Sequence, residues 1–335
     1  MRITVLGSGG WGTAIAVLLA ENGHEVSLWS AFERESEALR SKRENPLLEG
    51  VHIPACIEIT SDIAIVSTSE LVVLATPSFA VRETAGRLLG LLSWETGIVI
   101  VSKGIERESM KNFTQVVEEM MGPDVKIAAL SGPSHAEEVA RGMLTACVAA
   151  SKDAVFAHLV QDVFMSERFR VYTSSDVIGV ELGGALKNVI ALCAGVVEGM
   201  GMGDNTMAML MTRGLSEMAS LGVAMGGKRE TFAGLAGIGD LIVTCTSEHS
   251  RNRRAGVLMG QGFSPEAAMQ QVGAVVEGYY AAAAAKRLAL EKGVEMPISE
   301  QTYSVLYEGK DAKLVPRELM TRGKKPEYED MTWMQ

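Results

Sequence analysis

Short apolar runs punctuate the first half of the chain, and long helix-period patterns fill the second. Strands are predicted at 2–6, 24–29, 71–75, 98–101, 126–130, 146–150 and 169–172, with helices such as 13–20 and 33–43 between them. Leu71–Ala75 and Ile98–Val101 are apolar without interruption. Such runs, separated by helical stretches, predict a parallel sheet covered on both faces. After Asp176 the strand pattern stops. Helices are predicted at 176–199, 204–225, 251–261, 264–271, 277–292 and 298–308, joined by Gly-rich connectors such as Gly234–Gly239. The pattern divides the chain into an α/β domain over 1–178 and an all-helical domain over 179–335, with the polar stretch 323–335 expected to be loosely held.

The first strand runs straight into Gly7-Ser8-Gly9-Gly10-Trp11-Gly12, and a helix follows. Strand, G-x-G-x-x-G and helix together form a dinucleotide-binding turn. Gly7 permits the tight turn, Gly9 lets the backbone approach a pyrophosphate, and Gly12 lets the helix pack close to the strand. The helix N-terminus presents free N–H groups to phosphates. The fold is therefore expected to be a Rossmann-type, mainly parallel sheet with helices on both faces, followed by an all-helical C-terminal domain. The cofactor is expected to be NAD or NADP. Ligands of open α/β sheets bind beyond the carboxyl ends of the strands, which makes Lys103 and Ser131–Ser134 candidates by position.

Composition narrows the partners. A net charge of −10 over 335 residues argues against nucleic acid, whose affinity rests on Lys and Arg neutralising phosphates. The dense basic cluster Arg251, Arg253 and Arg254 suits a small anion better. Gly is abundant (35) and aromatics are scarce (5%), which favours close-packed helices. The four cysteines lack C-x-x-C spacing and read as small, buried, reduced side chains; no metal site is expected. With a strand predicted from residue 2 and no apolar run near 18 residues, neither a signal peptide nor a membrane span is expected, and the protein is read as soluble and cytoplasmic.

Three segments of the helical half carry candidate chemistry. Lys187 stands on an apolar helix between Leu186 and Val189, beside Asn188. Burial there lowers a lysine's pKa and makes it a general acid/base, whereas a stem crossing apolar surface to water gives the same pattern. Asp240, between glycines and an apolar run, either holds a catalytic lysine, binds a substrate hydroxyl or caps a helix. Ser250-Arg251-Asn252-Arg253-Arg254 offers a guanidinium fork to phosphate oxygens, or is a solvated charged face. A dinucleotide turn with a Lys, an Asp and an Arg cluster in a helical partner domain describes a dehydrogenase of a small anionic alcohol, a phosphorylated one among the candidates.

Over nearly its whole length the chain resembles the bacterial NAD(P)-dependent glycerol-3-phosphate dehydrogenases. The matching stretches are GSGGWGTAIA (7–16), SKGIE (102–106), SGPSHAEEVA (131–140), GVELGGALKNVIA (179–191), GLAGIGDLIVTC (234–245), SRNRR (250–254), VVEG (275–278) and MPISE (296–300). Hydroxyacid and 6-phosphogluconate dehydrogenases share the glycine turn and a helical Lys, but not SRNRR beside GIGDL. The resemblance implies reduction of dihydroxyacetone phosphate to sn-glycerol 3-phosphate for phospholipid synthesis, and a homodimer. It implies cofactor contacts at Gly10, Trp11, Lys103, Ala136, Arg251, Val275 and Glu277. It implies substrate contacts at Lys103, Gly132, Ser134, Lys187, Asp240, Ser250, Arg251 and Asn252, with Lys187 transferring the proton. One departure stands out. Ala31 and Phe32 replace basic residues that in many members receive the 2′-phosphate of NADP; Arg34 is the nearest cation, and no Asp ends strand two. NADH and NADPH are therefore expected to work within about tenfold of each other, or 1.4 kcal/mol.

Overall fold

A computed structural model describes residues 1–327. Most of the predicted tail, 328–335, lies outside the described residues. Eight strands, β1 (Arg2–Leu6), β2 (Glu25–Trp29), β3 (Glu58–Thr60), β4 (Leu71–Leu74), β5 (Gly97–Ile100), β6 (Ile127–Ser131), β7 (Thr145–Ala150) and β8 (Phe169–Ser174), form one sheet in the order β3-β2-β1-β4-β5-β6-β7-β8. Between them lie α1 (Gly10–Glu21), α2 (Glu33–Lys42), α3 (Val81–Arg87), α4 (Phe113–Met121), α5 (Ala136–Ala140) and α6 (Ala154–Phe164). After β8 the described chain is helical: α7 (Val177–Gly199), α8 (Asp204–Ala224), α9 (Arg229–Phe232), α10 (Asp240–Thr246), α11 (Arg251–Gly260), α12 (Pro265–Val272), α13 (Glu277–Lys292), α14 (Pro297–Tyr307) and α15 (Val315–Met320).

The strand order reverses between β1 and β4, which pair in parallel from Ile3↔Leu71 to Leu6↔Leu74. A crevice opens at such a switch point, beyond the strands' carboxyl ends. The expected parallel sheet holds except at one pairing: β7 runs antiparallel to β6. The link between them carries only the five-residue α5, and β8 then resumes parallel pairing with β7. The edge strand β3 escaped the sequence reading, because three residues carry no period.

The buried helix α7 organises the second half. Gly195 and Gly199 of α7 face Gly256 and Gly260 of α11 so closely that backbone meets backbone. A Cβ on Gly195 would lie 2.0 Å from the Arg253 carbonyl oxygen, and one on Gly256 would lie 2.0 Å from that of Leu192. By length and composition α7 could cross a membrane, contrary to the expectation that no apolar stretch is long enough. Yet 89% of that stretch is buried inside the protein, and Glu181 and Lys187 interrupt it. A second correction concerns Cys56, which is exposed. It lies in a turn closed by the Ile57 N–H on the Pro54 carbonyl (3.1 Å), and the buried side chain there is Ile57.

Candidate active site

The glycine turn has the geometry its spacing predicts. Gly7 adopts φ +121°, and a Cβ there would meet the Ala75 carbonyl oxygen at 2.6 Å. A Cβ on Gly12 would lie 1.9 Å from the Gly7 carbonyl oxygen, so α1 rests directly on the turn. Gly9, the N-cap of α1, faces open space, and Ala136 borders Gly10. Among the described residues, three buried side-chain polar atoms have no hydrogen-bond partner: Trp11 Nε1, Thr76 Oγ1 and Ser131 Oγ. They belong to the glycine turn and to the segments that end β4 and β6. An open backbone face, a 12-residue helix N-terminus and unpaired polar groups at the switch point fit a bound dinucleotide.

Lys103, just beyond β5, reaches across to the helical half. Its Nζ donates to the Gly132 carbonyl (2.9 Å), to Ser134 Oγ (3.4 Å) and to Asp240 Oδ2 (2.7 Å). Lys187 Nζ donates to the other Asp240 oxygen and to Thr244 Oγ1 (2.7 Å). One buried carboxylate thus bridges two lysines contributed by the two halves of the molecule. Local backbone fixes it there. The π-helical turn Leu235–Gly239 feeds directly into Asp240 at the start of α10, and Gly183 of α7 leaves room for it: a Cβ would strike the Ala236 carbonyl oxygen at 2.4 Å. Of the readings open in the sequence, Asp240 takes that of lysine holder.

Burial alone would lift the Asp240 carboxyl, but Lys103 and Lys187 outweigh it and hold the group below the usual carboxylate range. Burial pushes Lys187 below the ordinary lysine value, reinforced by the like charge of Lys103 and opposed by Asp240. The pair of ammonium groups around one carboxylate leaves the site net positive in an acidic protein. His135, beside this cluster, is pushed below the ordinary imidazole value by its own burial and by the Lys187 charge. The thiol of Cys147 is pushed up to about 12 by burial, which makes it chemically inert.

The SRNRR segment begins α11. Ser250 caps the helix by accepting from the Arg253 N–H (3.2 Å). Arg253 pairs with Glu198 (2.6 Å), while Arg251 is exposed in the first turn, its charge felt by Glu277. Asn252 is buried: its Nδ2 donates to Asn188 Oδ1 (2.9 Å) and its Oδ1 accepts from the Gly278 N–H (2.8 Å). Asn252 therefore ties α11 to the residue next to Lys187 and to the start of α13. Glu277, at that start, accepts from Ser78 Oγ (2.8 Å) across the crevice, and burial raises its carboxyl. Val275 is half-buried two residues earlier.

The sequence-predicted residues therefore fall into linked groups. Lys103, Gly132, Ser134, Lys187 and Asp240 are joined by direct hydrogen bonds; Ser250, Arg251, Asn252 and Glu277 surround the junction of α11 and α13; the glycine turn stands at the sheet edge. Asn188 was noted by sequence only as the neighbour of Lys187, without a role, and Thr244 was not singled out. Thr244 lies four residues after Asp240, one helical turn on, and that spacing is the signal that could have found it.

The N-terminal model of the NAD-dependent glycerol-3-phosphate dehydrogenases matches residues 2–157, and the C-terminal model matches 176–317. A relative from Moorella thermoacetica named glycerol-3-phosphate dehydrogenase (NAD(P)+) is 53% identical over 333 residues, covering 99% of each chain. A namesake from a Thermoanaerobacter species is 50% identical over 328 residues, covering 98% of this chain and 99% of its own. Among solved structures, a glycerol-3-phosphate dehydrogenase from Coxiella burnetii superposes with a TM-score of 0.92 at 37% identity, covering 96% of this chain and 99% of that one.

Proposed function

The chain belongs to the NAD-dependent glycerol-3-phosphate dehydrogenase family, and on that premise we propose how its own residues carry the reaction. The protein is an NAD(P)-dependent oxidoreductase that interconverts dihydroxyacetone phosphate and sn-glycerol 3-phosphate, the backbone of glycerophospholipids. The observation that carries the residue assignment is the Lys103–Asp240–Lys187 bridge across the switch-point crevice.

The dinucleotide, when bound, supplies or takes up hydride at C2 of the substrate. Gly7, Gly9, Gly10, Trp11 and Gly12 hold its pyrophosphate end, with Ala136, Val275 and Glu277 as further contacts. Lys187 gives its proton to the C2 oxygen as the carbonyl becomes an alkoxide, and takes it back in the oxidation. Its lowered affinity for the proton suits both directions, since a proton-transfer group works best near the operating pH. Asp240 keeps the two ammonium groups in register, and Thr244 fixes the Lys187 head. Lys103, Gly132 and Ser134 orient the polar end of the substrate at the sheet edge. Arg251, with Ser250 and Asn252 at the N-terminus of α11, holds the phosphate.

We further propose that the chain divides functionally at residue 178, just inside α7, and works in the cytoplasm as a homodimer. Apolar side chains exposed on the helical half, among them Met209, Val223 and Met320, supply surface for such an association; light scattering of the purified protein reads it directly. The reaction is tested by absorbance at 340 nm with NADH or NADPH and dihydroxyacetone phosphate. In that assay Arg251→Ala should cost roughly 10–150-fold in kcat/KM, the worth of a charge-assisted contact. A variant that still prefers dihydroxyacetone phosphate over dihydroxyacetone as strongly as the wild type would remove Arg251 from the phosphate site.

A further inference from the structure

By sequence, the end of β2 lacks the acid that grips an adenosine ribose, and Ala31 and Phe32 offer no cation to a 2′-phosphate. The fold brings an acid there from five residues further on. Ser30 follows β2 directly and is fully buried. It adjoins the glycine turn, whose Gly7 N–H bonds to the Trp29 carbonyl oxygen at 3.0 Å. The Ser30 hydroxyl donates to Glu35 Oε2 at 2.9 Å. Glu35 lies in the first turn of α2 and is itself exposed, so this bond folds its carboxylate back against the end of β2.

The neighbouring acid behaves differently. Glu33 accepts from Arg40 (2.6 Å) and from the Ser61 hydroxyl, so its charge is met by a cation. Glu35 has no ion-pair partner among the described residues. An uncompensated carboxylate therefore stands where dinucleotide folds place the acid that accepts from a free 2′-hydroxyl. A 2′-phosphate at that place meets like charge. Arg40 is engaged with Glu33 and the Arg87 guanidinium lies over the Trp29 ring (4.9 Å), which leaves Arg34, exposed on the same turn, as the cation placed to oppose this.

We propose that Glu35, anchored by Ser30, is the specificity-determining residue for the cofactor, standing in for the absent strand-end acid and selecting NADH over NADPH. The inference rests on the dinucleotide reading of the glycine turn and narrows it to one cofactor. It also replaces the near-equality expected from sequence, where the missing arginines and the missing strand-end Asp were visible but the bond from Ser30 to Glu35 was not.

Isothermal titration of the full chain with NADH and NADPH, without substrate, tests it. The wild type should bind NADH at least about tenfold more tightly than NADPH, a difference of 1.4 kcal/mol. Glu35→Gln keeps a hydrogen-bonding group but removes the charge, and should bring the two within about threefold, chiefly by tightening NADPH. Glu33→Gln should leave the wild-type ratio in place. Adenosine 2′,5′-bisphosphate against AMP should repeat the pattern, which locates the effect at the 2′-position. Equal or tighter binding of NADPH by the wild type overturns the proposal and points to Arg34; an unchanged ratio in Glu35→Gln overturns it by removing Glu35 from the 2′-position. If both dinucleotides bind alike, only this inference falls; if neither binds, the dinucleotide reading falls with it.

Discussion

At the residue scale, the decisive arrangement is two lysines around one buried carboxylate. Each lysine alone would be costly to bury, and Asp240 offsets both. Burial, reinforced by the Lys103 charge and only partly opposed by Asp240, holds Lys187 below the ordinary lysine pKa of 10.5, and this fixes the sign of the pH response. Reduction needs the protonated amine, so its kcat should fall as pH rises through the lowered value, while kcat for oxidation rises over the same window. Lys187→Ala should bind cofactor normally yet lose most turnover in both directions, by roughly 10²–10⁴-fold, and the alkaline limb should vanish. Near-normal kcat in that variant, or an unaltered limb in stopped-flow profiles, would sink the assignment. The sequence made Lys187, Asp240 and Arg251 visible because a charged side chain in an apolar or Gly-rich run is conspicuous. It left their roles open, because spacing along one chain does not say that Lys103 and Lys187, 84 positions apart, share a partner. Asn188 and Thr244 gave weaker signals, since an amide or hydroxyl inside a helix is unremarkable until its partner is known.

At the element scale, the strands were legible where they are apolar throughout, as in β4 and β5, because only a doubly covered sheet buries such runs. β3 was not legible, being short and at the edge, and neither was the antiparallel turn of β7, since direction leaves no trace in composition. The high glycine content has a concrete use between α7 and α11. Gly195, Gly199, Gly256 and Gly260 let the two backbones touch, which seats Asn252 at the start of α11 on Asn188, next to Lys187, at 2.9 Å. The opposing atoms are backbone carbonyls, which cannot rotate aside. Gly256→Ala should therefore cost about 1–3 kcal/mol or more and push the start of α11 away from α7, raising KM for dihydroxyacetone phosphate. Gly262→Ala lies in open space but at φ +103°, so it should cost stability through backbone strain while leaving KM unchanged. Urea denaturation together with KM separates the two, and a Gly256→Ala enzyme with wild-type stability would show that the helices are free to part.

At the scale of the whole molecule, several polar ties join the sheet half and the helical half. Lys103–Asp240 and Ser78–Glu277 span the crevice, and Asp176 accepts from the Lys228 N–H at 2.8 Å. Another lies apart from the chemistry: Glu181 of α7 accepts from the backbone N–H (3.0 Å) and hydroxyl of Thr114 at the start of α4. Burial pushes the Glu181 carboxyl up to about 7 from an ordinary 4.5, with the Thr114 bonds opposing that rise. A group whose folded pKa lies above its unfolded value binds its proton more tightly in the folded state. Its contribution is thus fully present below about pH 4.5 and is lost as pH rises through about 7. Glu181→Gln is neutral at every pH and lacks this dependence. Its stability relative to the wild type should therefore improve between pH 5 and pH 8, by on the order of 1–3 kcal/mol, whatever fixed penalty the amide carries for one lost hydrogen bond. Because α7 also bears Lys187 and Asn188, the same carboxyl bears on how firmly that helix is seated on the sheet. Urea unfolding at the two pH values, followed by tryptophan fluorescence, measures the difference directly. A stability gap between wild type and Glu181→Gln that is the same at pH 5 and pH 8 would mean that the carboxyl stays in one protonation state across that range, and that the tie between the halves does not respond to pH.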